Sequence, residues 1–127
     1  MIKTKTNTQK TDEKVYTIDA TGESLGRVAS RAASLLRGKG EASFRPHLEP
    51  KVFVTVTNVS HLKIQPAKFA NTQYSRYSGY PGGLRSEAMV ELALRRGYPE
   101  LFRQAVKGMI PNNKLRRSIL KHLTVTA

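Results

Sequence analysis

At 127 residues the chain has the length of one compact domain, and with 39% apolar residues it can bury a modest core. The absence of cysteine excludes disulfides, thiolate metal sites and cysteine nucleophiles. Lys and Arg number 22 against 9 Asp and Glu, and a compact fold carrying the resulting +13 normally has a polyanion to neutralise it, so nucleic acid is the leading partner.

No stretch approaches the roughly twenty apolar residues of a membrane span, and the cations are spread along the chain rather than gathered on one amphipathic tract. No membrane partner is expected. The opening Met1 to Lys14 is polar, rich in threonine and lysine, and lacks both arginine and a secretory apolar run. It reads as an extended basic arm, residues 1–14, that orders on a partner. A single α/β domain, residues 15–127, follows it, with a cytoplasmic location expected.

Val15 to Asp19 alternates β-favouring residues and runs into Ala-Thr-Gly, a strand ending in a turn. Ser24 is placed to cap a helix from Leu25 to Arg37, where Leu25, Val28, Ala29, Ala32, Leu35 and Leu36 recur at helical spacing before Gly38. Val52 to Thr57 is dense in β-branched residues and lies beyond a crossover-length connection, so it pairs parallel to the first strand in a βαβ unit. His61 to Ile64 reads as a short strand stopped by Pro66, and Gln73 to Tyr77 as another stopped by the glycines near Tyr80. Ser86 to Arg95 and Pro99 to Lys107 read as helices, the second closed near Gly108. A basic helix over about Asn113 to Lys121 precedes Leu123 to Val125. The order favours an α/β sandwich with a small, mainly parallel sheet.

Gaps between carboxylates locate the positive field. No acid occurs between Glu49 and Glu87, a stretch holding Lys51, Lys63, Lys68, Arg76 and Arg85. None follows Glu100, a stretch holding Arg103, Lys107, Lys114, Arg116, Arg117 and Lys121. Two basic surfaces are expected.

Three segments carry the chemistry. Thr21-Gly-Glu-Ser-Leu-Gly-Arg27 sits where a phosphate-binding loop would, but it lacks the P-loop spacing and terminal Lys-Ser/Thr, and it is not G-x-G-x-x-G. The plainer reading is that Gly22 serves the turn and Gly26 lets the helix lie close to the sheet. Along that helix Arg27 and Arg31 stand four residues apart, with Arg37 and Lys39 at its end, a row suited to a phosphate backbone and equally common on solvated faces. Tyr74-Ser-Arg-Tyr-Ser-Gly-Tyr-Pro-Gly-Gly-Leu-Arg85 interleaves Tyr74, Tyr77 and Tyr80 with Arg76, Arg85 and the glycines 79, 82 and 83. Tyrosine stacks on unpaired bases, arginine pairs with phosphate, and Gly79, Gly82 and Gly83 admit RNA closely. The alternative is a surface turn whose tyrosines pack on the core. In Lys107 to Lys121, Leu115, Ile119 and Leu120 face inward while Lys114, Arg116, Arg117 and Lys121 stay outside with no balancing acid, which suits phosphate contact.

Catalysis has little support: His47, His61 and His122 are isolated, no H-x-x-x-H or carboxylate cluster offers a metal cage, and there is no nucleophile elbow. No cofactor, metal or small-molecule substrate is expected. Two rivals remain: a nucleotide-binding α/β enzyme using Gly22 to Arg27, and a free-standing RNA-binding assembly factor.

The chain resembles the bacterial type of the ribosomal protein L13 family over about Val15 to Val125. The resemblance rests on Asp19-Ala-Thr-Gly22, Leu25 to Ser30, Leu36-Arg-Gly-Lys39, Pro46-His47, Ser78 to Gly83, and Ala105 to Pro111 with Lys114-Leu115. It implies a three-layer α/β/α sandwich with a four-stranded parallel sheet, binding to large-subunit ribosomal RNA beside neighbouring large-subunit proteins, and a role early in subunit assembly. RNA-facing residues carried over would include Arg27, Arg37, Lys39, His47, Gly79, Gly82, Gly83, Lys107 and Lys114; Arg45 stands beside His47 in the same loop. The sequence departs from the family at Leu48 to Lys51, at Gln65 to Lys68, and at Tyr77, where a histidine is common. It also stops at Ala127, without the tail many relatives carry, so contacts made by that tail are not expected.

Overall fold

A computed structural model describes residues 2–5 and 13–127 of the chain. In chain order it contains β1 (Ile2–Lys5), β2 (Lys14–Asp19), α1 (Leu25–Leu36), β3 (Val52–Thr57), a 3₁₀ turn (Val59–His61) and α2 (Pro66–Asn71). There follow β4 (Gln73–Tyr77), β5 (Leu84–Ala88), α3 (Met89–Arg96), α4 (Tyr98–Met109), α5 (Leu115–Lys121) and β6 (Leu123–Val125).

The βαβ unit forms as the sequence suggests. β2 and β3 run parallel with Ile18 opposite Val56, and β6 adds parallel to β3 with Leu123 opposite Val54. β3 shows why: Val52, Val54 and Val56 are buried and alternate with half-buried Phe53, Thr55 and Thr57, the period-2 pattern of a sheet with one packed face. On α1, Leu25, Val28, Ala29, Ala32, Ala33 and Leu36 form one buried stripe at helical spacing. That stripe meets Leu101, Phe102 and Val106 of α4 together with Ile18 and the β3 valines in a single core. The three alanines let α1 and α4 approach closely.

This one-sided core corrects the layering implied by resemblance. Phe53 and Val15, on the opposite face, are half-buried and take no part in the core. Among the described residues the sheet is therefore packed on one face, not sandwiched. Only three strands run parallel: β1 pairs antiparallel with β2 through Ile2↔Ile18 and Lys5↔Val15, in the order β1-β2-β3-β6. A separate two-stranded ribbon, β4–β5, stands apart from this sheet. The expectation that the arm is extended falls otherwise on residues 1 and 6–12, which lie outside the described residues.

Local expectations shift at several boundaries. Ser86 to Ala88 belong to β5 rather than a helix: Ser86 and Glu87 pair with Ser75 and Tyr74, the two serine hydroxyls lie 3.2 Å apart, and the Ala88 N–H donates to the Glu91 carboxylate at 3.3 Å. The helical stripe begins only at buried Met89. Pro66 opens α2 instead of ending a strand, since the first helical position needs no N–H donor. His61 to Ile64 is reduced to a bridge between Lys63 and Ser24. α4 runs through Gly108 to Met109, and α5 begins at Leu115. Ser24 occupies the cap position of α1 with extended backbone but makes no side-chain cap bond. A Cβ on Gly26 would meet nothing within 4 Å, so close helix packing does not require that glycine, whereas Gly22 does hold a turn at φ +69°.

Candidate nucleic-acid interface

An open groove of about 1100 Å³ lies between the β4–β5 ribbon and the α3–α4 pair. The ribbon is a two-stranded antiparallel ladder in which Arg76 lies directly opposite Arg85, and Tyr77 opposite Leu84. Tyr74, Arg76 and Arg85 line the groove from the ribbon, Arg95 and Arg96 from α3, and Gln104 and Lys107 from α4. Arg76 and Arg85 of the first acid-free stretch thus meet Lys107 of the second, whose other cations lie elsewhere.

Arg95 is bound to Glu87 at 2.6 Å and Arg96 lies 3.8 Å from Glu100, so these two are held by neighbours. No ion pair is found among the described residues for Arg76, Arg85 or Lys107, all exposed. Their charge is available to a ligand. Half-burial pushes the Tyr74 phenol above its ordinary pKa, keeping a neutral O–H in the groove.

At the ribbon's tip Tyr77 is 63% and Tyr80 76% exposed, so neither packs on the core as the surface-turn alternative requires. The turn between them is shaped by glycine. Gly82 has φ +73°, and a Cβ at Gly83 would fall 2.0 Å from the Ser78 hydroxyl and 2.9 Å from the Tyr80 carbonyl. The Gly83 N–H closes the turn on that carbonyl at 2.9 Å. Gly79, at φ +88°, leaves open space where a side chain would stand.

Other expected residues fall into two further groups. Arg37 and Arg45 line a narrow cleft with Pro46 and Asn113, where the loop after α1 meets the α4–α5 junction. Lys39 and His47 are exposed on that loop and Lys114 follows Asn113. Arg117 and Lys121 on α5 share a shallow recess with Arg103 of α4, while Arg116 is half-buried. Arg27 on α1 and Lys68 on α2 stand exposed outside these groups. Arg31 is engaged: its guanidinium donates both nitrogens to Glu23, at 3.1 and 2.5 Å, and that pairing holds the Glu23 carboxyl below its ordinary pKa.

Sequence reasoning missed Arg95, Arg96 and Gln104, and placed Arg103 in the second basic stretch without naming it as a contact. The carboxylate-gap argument stops at Glu87 and resumes after Glu100, stepping over two arginines whose acids sit beside them in space. A signal was available in the paired Arg95-Arg96 closing α3, the last turn of a helix being where cations gather.

The turn before α1 is already occupied. The Gly22 N–H donates to the His61 carbonyl at 3.0 Å and the Glu23 N–H to the Ala20 carbonyl at 3.2 Å, so neither of these loop amides is open to a nucleotide phosphate. Asp19 braces this turn: its Oδ1 accepts from the Thr21 N–H at 3.0 Å, the Thr21 hydroxyl at 2.7 Å and the Asn58 amide at 3.1 Å. Those bonds, the Thr21 hydroxyl first, lower its pKa to about 2. Among the described residues no group of three His, Asp or Glu gathers as a metal cage, and no helix is long and apolar enough to cross a membrane.

Comparison with known proteins follows the same outline. A family described as Ribosomal protein L13 matches residues 13–127. A protein of Moorella thermoacetica named large ribosomal subunit protein uL13 is 45% identical over 115 residues, covering 90% of this chain and 78% of that one. The uL13 protein of Symbiobacterium thermophilum is 38% identical over 122 residues, 95% of this chain and 84% of that one. That of Listeria welshimeri is 43% identical over 115 residues, 90% and 78% respectively.

Proposed function

The chain belongs to the ribosomal protein L13 family, and from that premise we propose that it is a structural constituent of the large ribosomal subunit that binds and positions large-subunit ribosomal RNA early in assembly. The observation that carries the RNA reading is the groove beside the ribbon. Three cations without an ion pair among the described residues, Arg76, Arg85 and Lys107, line it, and two exposed tyrosines, Tyr77 and Tyr80, stand on the tip of the same ribbon. Such an arrangement holds a phosphate backbone by charge and bases by stacking.

Residues 15–127 act as one RNA-binding domain, to whose sheet residues 2–5 of the expected arm add an antiparallel edge strand. The cleft at Arg37 and Arg45, with Lys39, His47 and Lys114, and the α5 face at Arg117 and Lys121, with Arg116, supply further phosphate contacts; Arg27, Arg31 and Lys68 add peripheral charge. The role is positioning rather than catalysis. A rigid α/β core presents basic surfaces to folded RNA in the cytoplasm, beside neighbouring large-subunit proteins.

Sedimentation of a cell lysate at moderate and then high salt, with the protein followed by mass spectrometry, tests this directly. Stoichiometric recovery with the large subunit after the high-salt wash is expected; recovery only in light fractions would overturn it. Arg116→Glu combined with Arg117→Glu is expected to weaken ribosomal RNA binding while circular dichroism stays unchanged. Unaltered affinity in that folded variant would remove α5 from the interface.

A further inference from the structure

We infer that the groove between the β4–β5 ribbon and α3–α4 seats a single unpaired RNA strand, with one phosphate held between Arg76 and Arg85. The inference rests on the RNA-binding reading above and narrows it to one class of RNA.

The ribbon itself supplies the first argument. Arg76 and Arg85 are direct cross-strand partners, and like charges so placed weaken a two-stranded ladder that is marginal alone. No carboxylate pairs with either among the described residues. An anion between them converts the repulsion into two charge-assisted hydrogen bonds. Lys107 reaches the same space from α4, so cations address the occupant from two facing walls.

The groove's size and interior supply the second. At about 1100 Å³ it stands at the upper end of the roughly 300–1,000 Å³ of small-molecule sites, room enough for a nucleotide segment. A duplex would meet the protein from outside, through phosphates and 2′-hydroxyls across its broad minor groove. Inside this groove stand Glu87, paired with Arg95, and Glu91, which accepts the Ala88 N–H; a carboxylate has further lone pairs, and those left can accept from base N–H groups. The Watson–Crick edges, where base N–H groups are most numerous, are free only where the nucleotide is unpaired. The ribbon's tip agrees: Tyr77 and Tyr80 are exposed stacking platforms, useful to a base whose face is not already covered by a neighbour.

Fluorescence anisotropy with a labelled single-stranded RNA of mixed sequence, competed by the same strand unlabelled or by a blunt, fully paired RNA duplex, reads the proposal. The single strand is expected to compete about tenfold better, the equivalent of one stacked base. Arg76→Ala with Arg85→Ala should lower the slope of log affinity against log salt by roughly 0.7 for the single strand, the change for one phosphate, leaving duplex affinity unchanged. Lys107→Ala, on the facing wall, should lower it by roughly one. The double variant is also expected to melt no lower than the parent, since it relieves a like-charge pair. A duplex that competes equally, or a double variant that weakens both RNAs alike or neither, overturns the inference. Retention on the large subunit through the high-salt gradient is a separate readout and can stand while this one falls.

Discussion

The β2–α1–β3 unit and the β4–β5 ribbon sit in one chain under opposite rules. In the first, Val54, Val56, Val28 and Leu36 are all fully buried, and every side chain is placed by what it packs against. In the second, all five residues of β4 but Tyr74 are exposed, and charge stands opposite like charge. The first region is held by its own interior. The second is shaped for something it does not contain, and its stability and its chemistry are separable where those of the core are not.

The sharpest way to expose that difference is to damage each region in turn. Phe102, fully buried where α4 meets α1, should cost about 3–5 kcal/mol as Phe102→Ala, read by denaturant unfolding, with RNA binding lost only in step with folding. Tyr80→Ala should show the reverse: about 1–3 kcal/mol of RNA affinity by anisotropy, more than any one surface lysine, and no change in unfolding midpoint. An unfolding midpoint that drops in the tyrosine variant would mean that the ribbon is part of the core after all.

Smaller effects sharpen the boundary. Gly26→Ala, with open space at its Cβ position, should stabilise by about 0.4–1 kcal/mol in the same unfolding assay, because the helix no longer orders a glycine. The Asp19 brace should respond to acid. Its pKa is lowered from 3.8 to about 2, so its contribution is present above 3.8 and disappears as pH falls towards 2. Asp19→Asn should therefore melt below the parent at neutral pH and converge with it in acid; parallel curves across that range would show that the brace does not couple to folding.

The sequence made the core legible because burial imposes a period. Valines at every second position of β3 and the apolar stripe of α1 name their elements and faces at once. What periodicity could not say is whether the other face of the sheet is covered: Phe53 and Val15 look like core residues in a list and are not. The ribbon was half legible. Its glycines and tyrosines announced a loop that meets a ligand, but Ser86 and Glu87 read as helix because their strand pairing is decided by Tyr74 and Ser75, eleven or more residues away. Arg95 and Arg96 escaped because charge was counted along the chain, whereas Lys107 and Arg85 reach them across a groove.

The place of β6 has a kinetic consequence. This strand completes the parallel sheet by pairing with β3, and Thr126 donates its hydroxyl to the Val56 carbonyl across a separation of 70 residues. The cost of closing so long a loop must be met before the pairing returns anything, which places the protein among slow, high-contact-order folders. The β4–β5 ribbon, closed by a six-residue turn, has no such loop to close, but as a two-stranded ladder it holds only once α3 and α4 pack beside it. During refolding α1, whose backbone bonds are local, should acquire protected amides before β6 does.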